Sequence, residues 1–414
     1  FLLYLVFTEL RKAFKEIYFM TSNVLALENF VTITKNNSIT YAPSDIVNIC
    51  KRINNPKRDF LFVNSFQGKH LHVEPSKAFA LFEELANEIK HSISNNEKIV
   101  VIGFAETATA IGHFIASSLT NCIYYMQTTR ENIPNAKSLL DFKEEHSHAT
   151  EQFLYGSIEN LMNCDRIIFV DDEISTGNTV LNFIHAIESV GIHTKYAVAT
   201  LLNWQDDEWA NKFIDLGIDT YFVLGGKLKN LKAKVPVTIS TQPKTSAPLE
   251  VLPPVFSISC TYSDFYKERI GGKPYGLQEF SQNVYEQIAS QISETLPSNT
   301  DNVLILGTEE FMFTPMIFGK MLSKNLHVNV QFHATTRSPI ETSCYESYAI
   351  HQRYPIHSCY NEKRNTFIYN LQKYDKVYII TDTYPSSDFL KDISSALVSA
   401  GCSLKDIFII TLKG

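Results

Sequence analysis

Short apolar runs rich in β-branched and aromatic residues recur through the first half of the chain: KIVVI (98–102), NCIYYM (121–126), RIIFV (166–170), KYAVATLL (195–202) and TYFVL (220–224). Runs of this length, bounded by polar turns, predict strands buried on both faces. Between them, apolar positions return at helical spacing over 107–118 and 178–190. In the second stretch Leu181, Ile184, Ile187 and Val190 fall three apart and predict one buried stripe. Strands alternating with helices predict an α/β fold with a doubly wound parallel sheet.

The rhythm stops at GGKLKNLKAKVPVTISTQPKTSAPLEVLPP (225–254), which carries five lysines, five prolines and no aromatic residue. It then resumes and repeats. VVIGFAE (100–106) returns as LILGTEE (304–310), TTR (128–130) as TTR (335–337), and CDRIIFVDDE (164–173) as YDKVYIITDT (374–383). From Asp165 to Leu202 the halves align without a gap at an offset of 210. Three matches in one order point to duplication. The expected organisation is an N-terminal extension (1–29), a first domain (30–225), a linker (226–254) and a second domain (255–414), as two Rossmann-like, doubly wound parallel-sheet domains.

Composition narrows the function classes. With 44% hydrophobic and 20% charged residues and a net charge of −7, the chain is a folded protein without a broad nucleic-acid surface. Seven scattered cysteines, with no C-x-x-C pair, speak against a disulfide framework or zinc site and for a reducing compartment. FLLYLVF (1–7) is too short to span a bilayer and lacks the marks of a signal peptide, so residues 1–19 read as an upstream extension or a fragment's edge. A cytoplasmic location and no membrane partner are the expectation, and a homodimer is left open.

The chemistry concentrates in RIIFVDDEISTGNT (166–179). A strand, a loop and a helix start place exposed N–H groups and the positive helix end where a phosphate can sit. Gly177 permits the tight path, and Ser175, Thr176, Asn178 and Thr179 complete a cradle for it. Asp171 and Asp172 fall at the strand's carboxyl end, where open α/β sheets bind ligands. Adjacent carboxylates suit a ribose diol, and their charge would favour an oxocarbenium-like carbon above them. The pattern resembles the phosphoribosyl pyrophosphate (PRPP) signature of type I phosphoribosyltransferases, with Asp171 and Asp172 in the catalytic role.

Other elements would support that site. Residues 103–109 (GFAETAT), with Ala105, Glu106 and Thr107, are placed to meet a pyrophosphate group, or form an ordinary strand–helix turn. Arg130 is the cationic candidate, since a guanidinium matches phosphate oxygens; the alternative is a surface arginine paired with Glu131. Glu144, Glu145, His146 and His148 occupy the position of a lid and could supply a base, although a solvated acidic loop accounts for them as well. Lys69 and His70, in VNSFQGKHLHVEP (63–75), fall where a hood over the acceptor would lie. Mg²⁺ would enter bound to PRPP, with no protein ligand cluster for a metal.

The second copy departs from the signature. In TDTYPSSDF (381–389) the first aspartate is Thr381, Pro385 replaces a serine and Ser387 the glycine, so PRPP binding there is expected to be poor or absent. Glu309, Glu310 and Arg337 still sit at strand ends as a second-domain site, which holds another ligand, covers the first site or serves packing alone.

The whole resembles an orotate-phosphoribosyltransferase-like domain followed by a TRSP domain, as found in tellurium-resistance (Ter-type) biosynthetic clusters. The motif is Thr336-Arg337-Ser338-Pro339, and the blocks NSFQGKHLHVEP, FKEEHSHAT and LGTEEFMFTPM share the likeness over roughly residues 30–414. The resemblance implies PRPP-dependent transfer to a nitrogenous base or small acceptor in the making of a nucleoside-like metabolite. A non-catalytic PRPP or nucleotide sensor is the competing expectation.

Overall fold

The computed structural model describes residues 26–53, 58–133, 136–143, 151–229, 235, 237, 252–259, 268–298 and 301–413. The first half supplies strands β1 (Val31–Asn36), β2 (Val47–Lys51), β3 (Phe60–Asn64), β4 (Ile99–Gly103), β5 (Cys122–Thr129), β6 (Leu140–Lys143), β7 (Glu151–Leu154), β8 (Arg166–Ile174), β9 (Lys195–Asn203) and β10 (Asp219–Leu228). The second supplies β11 (Val255–Ser259), β12 (Asn302–Gly307), β13 (Asn329–Ala334), β14 (Arg353–His357), β15 (Asn365–Tyr369), β16 (Lys376–Thr381) and β17 (Ile407–Lys413). The longer helices are α1 (Pro75–Ser92), α2 (Thr109–Ser118), α3 (Asn178–Ser189), α4 (Asp207–Asp215), α5 (Leu277–Gln291), α6 (Phe313–Leu326) and α7 (Ser387–Ser399).

An 8-stranded sheet runs β1-β10-β9-β8-β4-β5-β7-β6, and a 5-stranded sheet runs β11-β17-β16-β12-β13. Each has a parallel centre, as the alternation of strands and helices predicts. The duplicated strands occupy the same places: β9-β8-β4-β5 in one sheet match β17-β16-β12-β13 in the other. The flank differs. In the first sheet β10 follows β9 in sequence, whereas its place beside β17 is taken by β11, from the start of the second half. β10 also extends through Leu228 by pairing antiparallel with β1, so Gly226, Lys227 and Leu228 belong to the sheet rather than to the connection.

Side-chain parity along the central strands sorts the core into three parts, because successive residues of a strand point to opposite faces. Val100 and Ile102 pack outward with Leu181, Ile184 and Ile187 of α3. Leu304, Leu306, Val377 and Ile379 pack outward with Ile393 of α7. The intervening residues Ile99, Val101, Val303, Ile305, Tyr378 and Ile380 share one continuous core with α1, α2, α5 and α6. The two sheets therefore enclose a common helical layer, and neither half has a private inner core. His113 of α2 stacks on Phe313 of α6 with ring centroids 4.1 Å apart, and burial drives its imidazole down to about 3.

The predicted stripe of the 178–190 helix is shorter by one residue. α3 ends at Ser189 and Gly191 turns the chain at φ +84°, leaving Val190 46% exposed beyond the buried face. The described cysteines are free thiols, all buried but Cys344. Among the described residues no helix is long and apolar enough to cross a membrane.

Candidate active site

β8 outruns its neighbour. β4 ends opposite Val170, and beyond that point β8 pairs only with β9, through Asp171 and Thr200. Asp171 and Asp172 thus stand at the carboxyl edge of the sheet, half-buried, with the Asp172 N–H donating to Asp171 Oδ1 at 2.9 Å. Burial, then the neighbouring Glu173 carboxylate, raise the Asp172 carboxyl above its ordinary range. Arg58 pairs with Glu173 at 2.8 Å and offsets part of that crowding.

The chain then turns at Gly177, whose φ of +74° opens α3 at Asn178. A Cβ there would lie 2.4 Å from Phe213 Cζ, so both the backbone and the space demand glycine. Ser175 is exposed, Thr176, Asn178 and Thr179 are half-buried, and the Asn178 N–H reaches Thr176 Oγ1 at 3.4 Å. Residues 175–179 are thus one contiguous turn at a helix N-terminus, which brings the hydroxyls of Ser175, Thr176 and Thr179 together with the positive end of the helix.

The loop after β4 lies against this pair. Thr107 Oγ1 donates to Asp172 Oδ1 at 2.8 Å, and the Thr107 carbonyl accepts from Gln67 Nε2 at 2.7 Å. The Ala105 N–H donates to Thr128 Oγ1 at 2.8 Å. Between them, Glu106 points away from the acids and is 6% exposed, with Lys69 Nζ 2.7 Å from its carboxylate. Burial would raise the Glu106 carboxyl, but Lys69 and Arg337, then Arg130, hold it down at about 2.

Residues 46–221 match the family model described as phosphoribosyl transferase. This half of the chain is a phosphoribosyltransferase domain. Residues 268–397 match a second model, the TRSP domain that lies C-terminal to that transferase. No curated protein matches the chain. Among solved structures, the adenine phosphoribosyltransferase of Trypanosoma brucei, determined with AMP, pyrophosphate and ribose-5-phosphate, is 14% identical. The alignment covers 47% of this chain and 86% of that one, with a TM-score of 0.32. The orotate phosphoribosyltransferase of Aeropyrum pernix is 18% identical over 36% of this chain and 71% of its own, with a TM-score of 0.24. Likenesses this distant add no weight to the family matches.

The phosphoribosyltransferase domain and the TRSP domain meet through charge. Arg337 lies 2.7 Å from Glu309 and 3.2 Å from Glu310 of its own domain, and 2.5 Å from Glu131 and 3.5 Å from Glu106 of the other. Arg364 joins Glu131 at 2.6 Å and Glu309 at 2.9 Å. Glu309 and Glu310 are fully buried. The Glu309 backbone adopts φ +49°, an uncommon conformation for a residue other than glycine, and its N–H donates to Thr335 Oγ1 at 3.0 Å. The second-domain trio of Glu309, Glu310 and Arg337 is therefore brought together, and its groups are engaged with one another and with the first domain.

Arg130 enters this joint through its backbone N–H, which donates to Glu310 Oε1 at 3.0 Å. Glu131, its expected alternative partner, turns to Arg337 and Arg364. Lys69 and His70 do not form a hood. Lys69 is fully buried and bridges the Glu106 carboxylate and the Glu309 carbonyl, and His70 lies buried near Tyr369 of the TRSP domain. The cause is a backbone strap: Val73 and Phe332 exchange hydrogen bonds of 2.9 and 2.7 Å and pin this segment to β13. The lid candidates Glu144, Glu145, His146 and His148 lie outside the described residues.

The degenerate loop of the TRSP domain is occupied by its own side chains. Asp382, the counterpart of Asp172, accepts from Arg269 Nε at 2.8 Å and from Tyr360 Oη at 2.5 Å. Arg269 also pairs with Glu310 and lies over the Tyr360 ring, 4.3 Å from its centroid. Neither Arg269, Arg364 nor Tyr360 stood out in the sequence. Each acts on carboxylates distant in the chain, and no local spacing marks such a partner.

Proposed function

We propose that the chain transfers ribose 5-phosphate from PRPP to a nitrogenous base or small amine and releases pyrophosphate. One observation carries the reading: the half-buried pair Asp171–Asp172 stands at the strand edge with the Gly177 turn ahead of it and Thr107 of the neighbouring loop bonded to Asp172. The turn at residues 175–179 offers N–H and hydroxyl donors for the 5′-phosphate. Asp171 and Asp172 would accept the two ribose hydroxyls and hold negative charge beneath the anomeric carbon. As the bond to pyrophosphate breaks, that carbon becomes cationic, and the fixed carboxylates stabilise it without reorganising. Residues 105–107 lie beside the acids, where the departing diphosphate would rest, and Arg130 is the nearby cation.

Mg²⁺ is the companion of PRPP in this reading, and it would neutralise the departing pyrophosphate. The ion would be held by the pyrophosphate and ribose oxygens of PRPP and by water, with the Asp171 and Asp172 carboxylates close enough to favour its charge. The likeness to tellurium-resistance biosynthetic proteins supports a nucleoside-like product.

Titration calorimetry with PRPP and Mg²⁺ tests the site. Binding by the parent and its loss in Asp171→Asn/Asp172→Asn are expected, and equal affinity in the double variant refutes the assignment. Pyrophosphate release with a library of bases then identifies the acceptor. Binding without release under any base would favour a sensor over an enzyme.

A further inference from the structure

The joint between the domains is reciprocal. Glu106 and Glu310 are counterparts in the repeat, as are Arg130 and Arg337. The Arg337 N–H donates to Glu106 Oε1 at 3.2 Å, and the Arg130 N–H donates to Glu310 Oε1 at 3.0 Å. One hydrogen bond is made twice, in opposite directions, the relation expected of a self-complementary interface.

The charges around that pair differ. Glu310 is neutralised chiefly by Arg269 of its own domain and then by Arg337, which together take its carboxyl below the ordinary range despite burial. Glu106 relies on Lys69 and, from the other domain, on Arg337. The loop beside the diol acids is thus pinned at three successive residues: Ala105 by Thr128, Glu106 by Lys69 and Arg337, and Thr107 by Asp172 and Gln67. Of these pins, Arg337 alone comes from the TRSP domain, and it arrives on a strap of backbone contacts. Ile53 N–H donates to the Pro339 carbonyl at 3.2 Å, and Glu341 N–H to the Lys51 carbonyl at 3.0 Å.

We infer that Arg337 is a positioning residue for the pyrophosphate end of the PRPP site: acting through Glu106, it fixes residues 105–107 beside Asp172. This rests on the phosphoribosyl reading of the site. The arginine of the T-R-S-P motif is then a clamp that ties the competence of the first domain to the docking of the second, and it does not form a separate ligand site. Its fork can hold Glu106, Glu131, Glu309 and Glu310 at once, a task a single ammonium meets only in part.

The test uses the full chain with Mg²⁺ and two probes. PRPP engages the diol acids, the phosphate turn and residues 105–107, whereas ribose 5-phosphate engages only the first two. Arg337→Gln is expected to weaken PRPP by at least roughly tenfold and to leave ribose 5-phosphate within about twofold, since loss of loop geometry is felt where the diphosphate binds. Arg337→Lys should fall between parent and Arg337→Gln. Where Arg337→Gln does not fold, Glu106→Gln weakens the same pair from the other side, and the same selective loss is expected. Equal loss for both probes, or none for either, overturns the inference. A parent that binds neither probe overturns the phosphoribosyl reading itself.

Discussion

Two glycines bracket α3, and both have positive φ: Gly177 at +74° before it and Gly191 at +84° after it. An alanine at either place carries a left-handed backbone penalty of roughly 1–2 kcal/mol. They differ in space. A Cβ at Gly191 meets nothing within 4 Å, whereas one at Gly177 comes within 2.4 Å of Phe213 Cζ and 2.7 Å of its Cε2. Phe213 is 1% exposed and packs with Ile174 and Val180, so the ring has no free direction in which to yield. Forced overpacking of this kind costs about 1–3 kcal/mol more. Gly177→Ala should therefore destabilise by about 2–5 kcal/mol, against about 1–2 for Gly191→Ala. In thermal unfolding the two variants should differ by roughly 2–12 °C, given about 2–4 °C per kcal/mol for domains of this size. Phe213→Leu removes the clashing ring atoms, so in the Gly177→Ala background it should cost less than it does alone. PRPP affinity should fall in Gly177→Ala and stay at the parent value in Gly191→Ala. Equal destabilisation by the two alanines, or no recovery with Phe213→Leu, would show that the ring does not set the shape of the turn.

Glu268 gives a pH signature. Burial raises its carboxyl from 4.5 to about 7, while its Oε1 accepts from the Thr314 N–H at 2.8 Å. The folded state thus keeps a proton that the unfolded chain has released, and stability falls as pH rises from about 4.5 to about 7. Glu268→Gln should gain on the parent across that window by up to about 3 kcal/mol. A Tm difference that is the same at pH 5 and pH 8 would refute this. Asp382→Asn, which unties Arg269 and Tyr360, should lower stability by a few kcal/mol, on the order expected for breaking a buried ion pair, and leave one PRPP site per chain. A second site appearing or the first one vanishing in calorimetry would contradict the closed state of the TRSP loop.

Much of the architecture was legible because it is written locally. Strand parity and helical spacing mark the central strands and α3, and the acid pair with Gly177 lies within one strand–turn–helix unit. The structure lengthened β8 and β10 beyond their apolar runs, since pairing with β9 and β1 continues after hydrophobicity stops. The placement of β11 beside β17 was hidden, because sheet order depends on contacts between the two ends of the second half. The β14–β15 hairpin carries alternating residues of mixed polarity and gave no run. Lys69 illustrates the deeper limit. A buried lysine reads from sequence as a surface charge, and only the meeting of Glu106 with the distant Glu309 carbonyl explains its burial.

The shared helical layer and the Arg337 joint have a consequence for how the protein behaves on dilution. Both faces of the contact belong to one polypeptide, so the joint closes at an effective concentration that does not depend on how much protein is in the tube; for linked modules such values reach the order of mM. An enzyme that borrowed this arginine from a second molecule would lose it at nanomolar levels. This chain carries its own supply, and the geometry of its site should be the same in a crowded stock and in the most dilute assay.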